Sequence, residues 1–84
     1  MTDRSNDELS DLVTYVARAL VDEPEDVSVQ VVDGERAVVI ELTVAEDDLG
    51  KVIGKDGRTA RAMRTVLAAT SARHRKRAIL EILE

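Results

Sequence analysis

Between Val27 and Val44 the apolar residues of this chain tend to fall on every second position, and the pattern is interrupted at Asp33-Gly34. A period of two marks a strand with one buried face. Val27, Val29 and Val31 point one way, with Ser28 and Gln30 between them. On the return, Val38, Ile40, Leu42 and Val44 share a face, and Val39, Glu41 and Thr43 share the other. Asp-Gly between two such runs signals a hairpin, because tight turns between strands need positive φ. A two-stranded hairpin makes a poor sheet, so the remaining chain must supply a third strand and cover the buried face.

Helical patterns flank the hairpin. Leu9, Leu12, Val13, Val16, Ala17 and Leu20 follow the i, i+3, i+4, i+7 spacing of an amphipathic helix. Ser5 and Glu8 fit a capping box at its start, leaving residues 1–5 as a flexible N-terminus. Asp22-Glu23-Pro24 ends the helix, since proline cannot continue its hydrogen bonding. After Ala45, Glu46-Asp47-Asp48 supplies negative charge suited to a helix start, and Leu49 to Ile53 make a short helical turn. Gly54-Lys55-Asp56-Gly57 follows, then a helix with Ala60, Met63, Val66, Leu67 and Thr70 on its inner face. Ser71 to Lys76 reads as a basic connection. Ala78 to Glu84 satisfies both periods; a strand is expected there, because it completes the sheet. The order is helix, two strands, short helix, G-x-x-G, helix, strand: one α+β domain over residues 1–84 with a three-stranded mixed sheet packed on helices.

Composition narrows the chemistry. At 84 residues there is room for one core, and with no Phe or Trp it must be built from aliphatic side chains. Tyr15 is the single aromatic residue and is expected on the flank of the first helix. Without cysteine there is no disulfide or thiolate metal site, and His74 alone makes no histidine cluster. No metal, cofactor or catalytic residue is expected. No apolar run, such as Ala37 to Ile40, approaches bilayer length, and the polar start Met1 to Asp7 has no signal-like apolar stretch. The expectation is a reduced cytoplasmic domain without a membrane partner.

The net charge of -5 conceals a strong polarity. From Lys51 to Arg77 there are nine bases against the single acid Asp56, and elsewhere three bases against sixteen acids. One face should attract phosphate while the rest repels it. By charge alone, a solvated helix face explains the run equally well. The Arg73 to Arg77 cluster in particular fits a solvated loop as well as an auxiliary RNA contact.

The loop supplies the deciding pattern. Two glycines at this spacing allow a sharp backbone turn, and the helix starting near Arg58 directs its unpaired N–H groups and dipole toward the same place. Gly50-Lys51-Val52-Ile53-Gly54-Lys55-Asp56-Gly57-Arg58-Thr59 resembles the V-I-G-x-x-G signature of KH domains. Two strands and a helix before it match the bacterial type II KH arrangement, and the resemblance covers nearly the whole chain. Among KH proteins it is similar to the stand-alone single-domain KhpA family.

That resemblance implies single-stranded RNA clamped by the loop, with bases in an aliphatic groove that dispenses with aromatic stacking. Lys51 and Lys55 would meet phosphates, Arg58 and Arg61 would extend the positive rim, and Ile53 would line the groove. Gly54 and Gly57 would serve backbone geometry. Asp56 is the discordant member, either weakening binding or contacting a base. The resemblance also implies a homodimer, a complex with a larger KhpB-like KH-containing protein, and an RNA chaperone or post-transcriptional role linked to cell-envelope and cell-length control. Small residues at Ala62, Ala69 and Ala72 on the helix after the loop would allow close approach of a second helix.

Rival functions fare worse. A P-loop needs G-x-x-x-x-G-K followed by Ser or Thr; Gly50 to Lys55 is one residue short and Asp56 stands at the hydroxyl position. Asp47 and Asp48 read as helix-start charges, and no nucleophile–base pair is present. A helix-turn-helix binding duplex DNA and a pure protein-interaction module remain the alternatives.

Overall fold

A computed structural model describes residues 4–72 and 76–84. Its elements are α1 (Arg4–Leu20), β1 (Ser28–Asp33), β2 (Ala37–Thr43), α2 (Leu49–Ile53), α3 (Arg58–Ser71) and β3 (Arg77–Ile82). The expected α+β architecture is present. Three strands in the order β1-β2-β3 form a mixed sheet, with β1 antiparallel and β3 parallel to the central β2. The ambiguous final segment is a strand. Its parallel pairing requires a long crossover, which α2 and α3 supply.

Strand alternation fixes the core. Val38, Ile40, Leu42 and Val44 are buried, while Val39 and Glu41 are half-buried and Thr43 is exposed. Val29 and Val31 stand opposite Leu42 and Ile40 and are half-buried. Leu9, Val13 and Ala17 of α1 and Met63 and Leu67 of α3 join the same core as Leu80 of β3. Full burial of Ile40 or Leu42 is worth about 2–3 kcal/mol over exposure.

Four local expectations change. Ser5, expected just ahead of the first helix, lies within α1; residues 1–3 of the segment expected to be flexible lie outside the described residues. The hairpin forms, but Asp33-Gly34 is not its tight two-residue turn. Asp33 pairs with Val38, Gly34 N–H donates to the Ala37 carbonyl at 2.9 Å, and Gly34 is absent from the positive-φ glycines. Asp33 also has a tertiary role: its carboxylate accepts from Asn6 Nδ2 at 3.1 Å and pairs with Lys76. On α3 the buried line is Ala60, Met63, Leu67 and Ser71, leaving Val66 48% exposed. One helical step turns Val66 about 100° from Leu67, away from the sheet and toward α1. Finally, Lys76 of the basic cluster faces Asp33, while Arg73 to Arg75 lie outside the described residues.

Tyr15 is 76% exposed on α1, on the flank as expected. Among the described residues no helix is long and apolar enough to cross a membrane, and no group of side chains could hold a metal ion.

Candidate nucleic-acid interface

The α2–α3 corner is built by backbone hydrogen bonds and unusual dihedral angles. Gly54 N–H closes α2 by donating to the Gly50 carbonyl at 2.8 Å, and Gly57 N–H donates to the Gly54 carbonyl at 3.1 Å. Gly54 has φ 79° and ψ 169°, a region that essentially only glycine occupies. A Cβ there would stand 2.2 Å from Thr59 Oγ1 and 2.8 Å from Thr59 N. Gly57 is left-handed, φ 73° and ψ 14°, but a Cβ would meet nothing within 4 Å. The two glycines thus have different reasons to be there.

Asp56 is also left-handed, at φ 57° and ψ 24°. Among residues with a side chain, Asn and Asp adopt this conformation most readily. The acid that looked discordant among the bases has a backbone reason for its place. Its carbonyl accepts from Arg61 Nη2 at 3.2 Å, so Arg61 braces the loop from the next turn of α3.

The sequence-predicted cations separate into two groups. Lys55, Arg58 and Arg61 are exposed around the start of α3. Among the described residues none of them has a carboxylate partner within ion-pair distance. Lys51 differs. Its ammonium lies 2.9 Å from Asp22 Oδ2 and 3.3 Å from Asp48 Oδ1. Hydrogen bonds to Asp22 first and Asp48 second hold its pKa above the ordinary lysine value. The structure therefore turns Lys51 into a brace between α2 and the α1–β1 connection.

Asp48, expected to be a simple helix-start charge, is 1% exposed. Its two oxygens accept from the backbone N–H of Asp22 at 3.2 Å and of Glu23 at 3.0 Å. Burial pushes its carboxyl pKa up, but these two amides and the Lys51 ammonium outweigh burial and hold it below the usual carboxylate value. The i, i+3 spacing to Lys51 was a local signal for the ion pair. The amide contacts, spanning about 25 residues, had none.

Beside the loop lies a groove of about 350 Å³ lined by Ile53, Gly57, Ala60, Arg61, Arg64, Ile82 and Glu84. Its walls are α2 and α3 on one side and the end of β3 on the other. Ile53, expected to line a groove beside the loop, is among the residues of this one. Arg64 and Glu84 were not singled out, and nothing in the basic run distinguished Arg64 from its neighbours.

This geometry coincides with a family match over most of the chain. The family description "KhpA/KhpB, KH domain" matches residues 10–82. The chain belongs to the KhpA/KhpB KH-domain family. It is 53% identical over 76 residues to the RNA-binding protein KhpA of Aquifex aeolicus, covering 90% of this chain and 96% of the relative. It is 47% identical over 75 residues to the RNA-binding protein KhpA of Clostridium perfringens, covering 89% and 100%. The RNA-binding protein KhpA of Chlamydia caviae is 43% identical over 76 residues, covering 90% and 97%. No solved structure matches. The groove from Ile53 to Ile82 runs alongside the Gly54 to Gly57 turn.

Proposed function

We propose that this chain binds single-stranded RNA without catalysis, gripping the sugar–phosphate backbone at Gly54 to Gly57 and laying bases along the aliphatic wall of Ile53, Ala60 and Ile82. The observation that carries this reading is the loop's position at the head of the 14-residue α3, with Lys55, Arg58 and Arg61 exposed around it. Helix N–H groups and exposed cations converge where a phosphate would dock. The relatives' description as RNA-binding proteins supports the same partner. Lys51 is assigned to bracing the corner, and Asp56 to its backbone conformation. The role in this reading is that of an RNA chaperone or post-transcriptional regulator in the cytoplasm, linked to the cell envelope and cell length. Duplex DNA reading is disfavoured because α2 has only five residues, too short for the first helix of a helix-turn-helix.

Lys55→Asp tests this directly. Anisotropy titrations with single-stranded RNA at several salt concentrations should show at least tenfold weaker binding. The log–log salt slope should also fall by about one contact's worth. Unchanged RNA affinity in a folded variant, or tighter binding of duplex DNA by the native chain, would remove the reading.

The second part of the proposal is self-association, alone or alternating with a KhpB-like protein, through α1 and α3. Leu12, Val16 and Leu20 of α1 and Ala62 and Val66 of α3 line an apolar groove of about 190 Å³. Ala69 on α3 and Ala72 just after it are exposed, so the small residues noted in the sequence lie open to solvent. Two RNA loops in one particle would gain affinity through effective concentration. Sedimentation should find a native dimer and a monomeric Val66→Glu variant, with folding unaffected because Val66 is half exposed. A strictly monomeric native chain at high concentration would rule the dimer out.

A further inference from the structure

The edge of β3 that faces the groove has been chemically altered by an arginine. Arg77 N–H donates to the Arg36 carbonyl and Leu83 N–H to the Leu42 carbonyl, so odd-numbered residues of this segment spend their backbone groups on β2. In a parallel ladder the alternate residues point theirs the other way. Ala78, Leu80 and Ile82 therefore present N–H and C=O groups to the open edge, since β3 is the last strand of the sheet. One of these acceptors is occupied: Arg64 Nη2, from α3, donates to the Leu80 carbonyl at 3.3 Å.

This contact has two consequences. A bare strand edge offers an acceptor beside a donor, which suits bases whose Watson–Crick edge sets an exocyclic amino donor beside a ring-nitrogen acceptor, adenine and cytosine. With the Leu80 carbonyl engaged, one of its two lone pairs is occupied, and a base reaching it meets a guanidinium first. Beside it the groove holds a guanidinium tethered by one hydrogen bond, whose remaining N–H groups have no other partner among the described residues. A guanidinium fork matches the adjacent O6 and N7 acceptors of guanine, a pairing that adenine and uracil lack; cytosine's O2 and N3 form a similar pair but without guanine's neighbouring donors. Glu84 lines the same groove and supplies a carboxylate, which complements the N1–H and N2–H₂ donors of guanine's opposite edge.

Resting on the RNA-binding reading above, we propose that Arg64 makes this groove selective for guanine, with Glu84 as its acidic counterpart. Arg64 is then a specificity residue, separate from the phosphate-facing cations of the loop.

The test uses the native chain and Arg64→Lys, which keeps the charge and loses the fork. Four short single-stranded RNAs would differ only at one central position of a uridine tract: G, A, C or U. A fifth would carry 7-deazaguanine, which lacks the N7 acceptor. The native chain should bind the guanine RNA about tenfold more tightly than the others, and 7-deazaguanine should remove most of that margin. In Arg64→Lys the margin should shrink to about twofold, with no further loss from 7-deazaguanine, because the two changes delete the same contact. Equal binding of all four natural RNAs by the native chain would overturn the guanine assignment and leave the RNA-binding reading standing. A guanine margin that survives Arg64→Lys would overturn the role of Arg64. No binding of any RNA by the native chain would remove the underlying reading and this inference with it.

Discussion

Gly54→Ala should cost the protein on the order of 3 kcal/mol and lower its thermal midpoint by about 15 °C, with RNA affinity down at least tenfold. Two independent penalties combine. Alanine is disfavoured at φ 79°, ψ 169°, and its Cβ would arrive 2.2 Å from Thr59 Oγ1 and 2.8 Å from the Thr59 backbone nitrogen. A side-chain oxygen can rotate away. A backbone nitrogen in the first turn of α3 can move only by displacing that turn, which carries Arg58 and Arg61. The comparison is Gly57→Asn, where φ is also positive but nothing lies within 4 Å of the added Cβ. Asparagine tolerates the left-handed region, so this change should cost under about 1 kcal/mol. Thermal denaturation of both variants beside RNA titration separates the effects. Equal losses at the two glycines would mean that the close approach to Thr59 is not what makes Gly54 necessary.

Asp48→Asn should lower the thermal midpoint by about 10 °C at neutral pH, the scale expected when buried charged hydrogen bonds are lost. Asparagine fills the same volume but offers one acceptor where two are used, and turns an NH₂ toward a backbone N–H or the Lys51 ammonium. The pH dependence identifies the cause. The folded carboxyl titrates below its unfolded value, which is about 3.9. Its stabilisation is therefore complete above about pH 4 and is lost as pH falls through the lower folded pKa. The gap in melting temperature between native and variant chains should narrow across that acid range. Melts from pH 7 to pH 2 that keep a constant gap would show that the carboxylate's charge is not the source.

Both residues mark the boundary between local and non-local information. The helix faces of Leu9, Val13 and Ala17 and the alternation through Val38 to Val44 were legible because burial repeats with the period of the backbone itself. The position of the loop was legible because glycine pairs are rare and conformationally specific. The third strand was recoverable only by asking what the hairpin lacked, since Ile79, Leu80 and Ile82 satisfy two periods at once. Val66 was misplaced because a stripe read at helical spacing is wider than the line that reaches the sheet.

The sequence by itself determined the element order, the aliphatic core, the location of the G-x-x-G turn and the gathering of positive charge behind it. These follow from patterns repeated within a few residues, where backbone geometry translates spacing into direction. Only the tertiary structure decided which distant partners the charged side chains meet. Lys51 turns to Asp22, Lys76 to Asp33, Asp48 to two amides of the α1–β1 connection, and Arg64 to the Leu80 carbonyl. These contacts join residues 16 to 43 positions apart, with the exposed cations Lys55, Arg58 and Arg61 remaining around the loop. A long flexible side chain carries no periodic signal, and its destination is set by what the fold brings within reach.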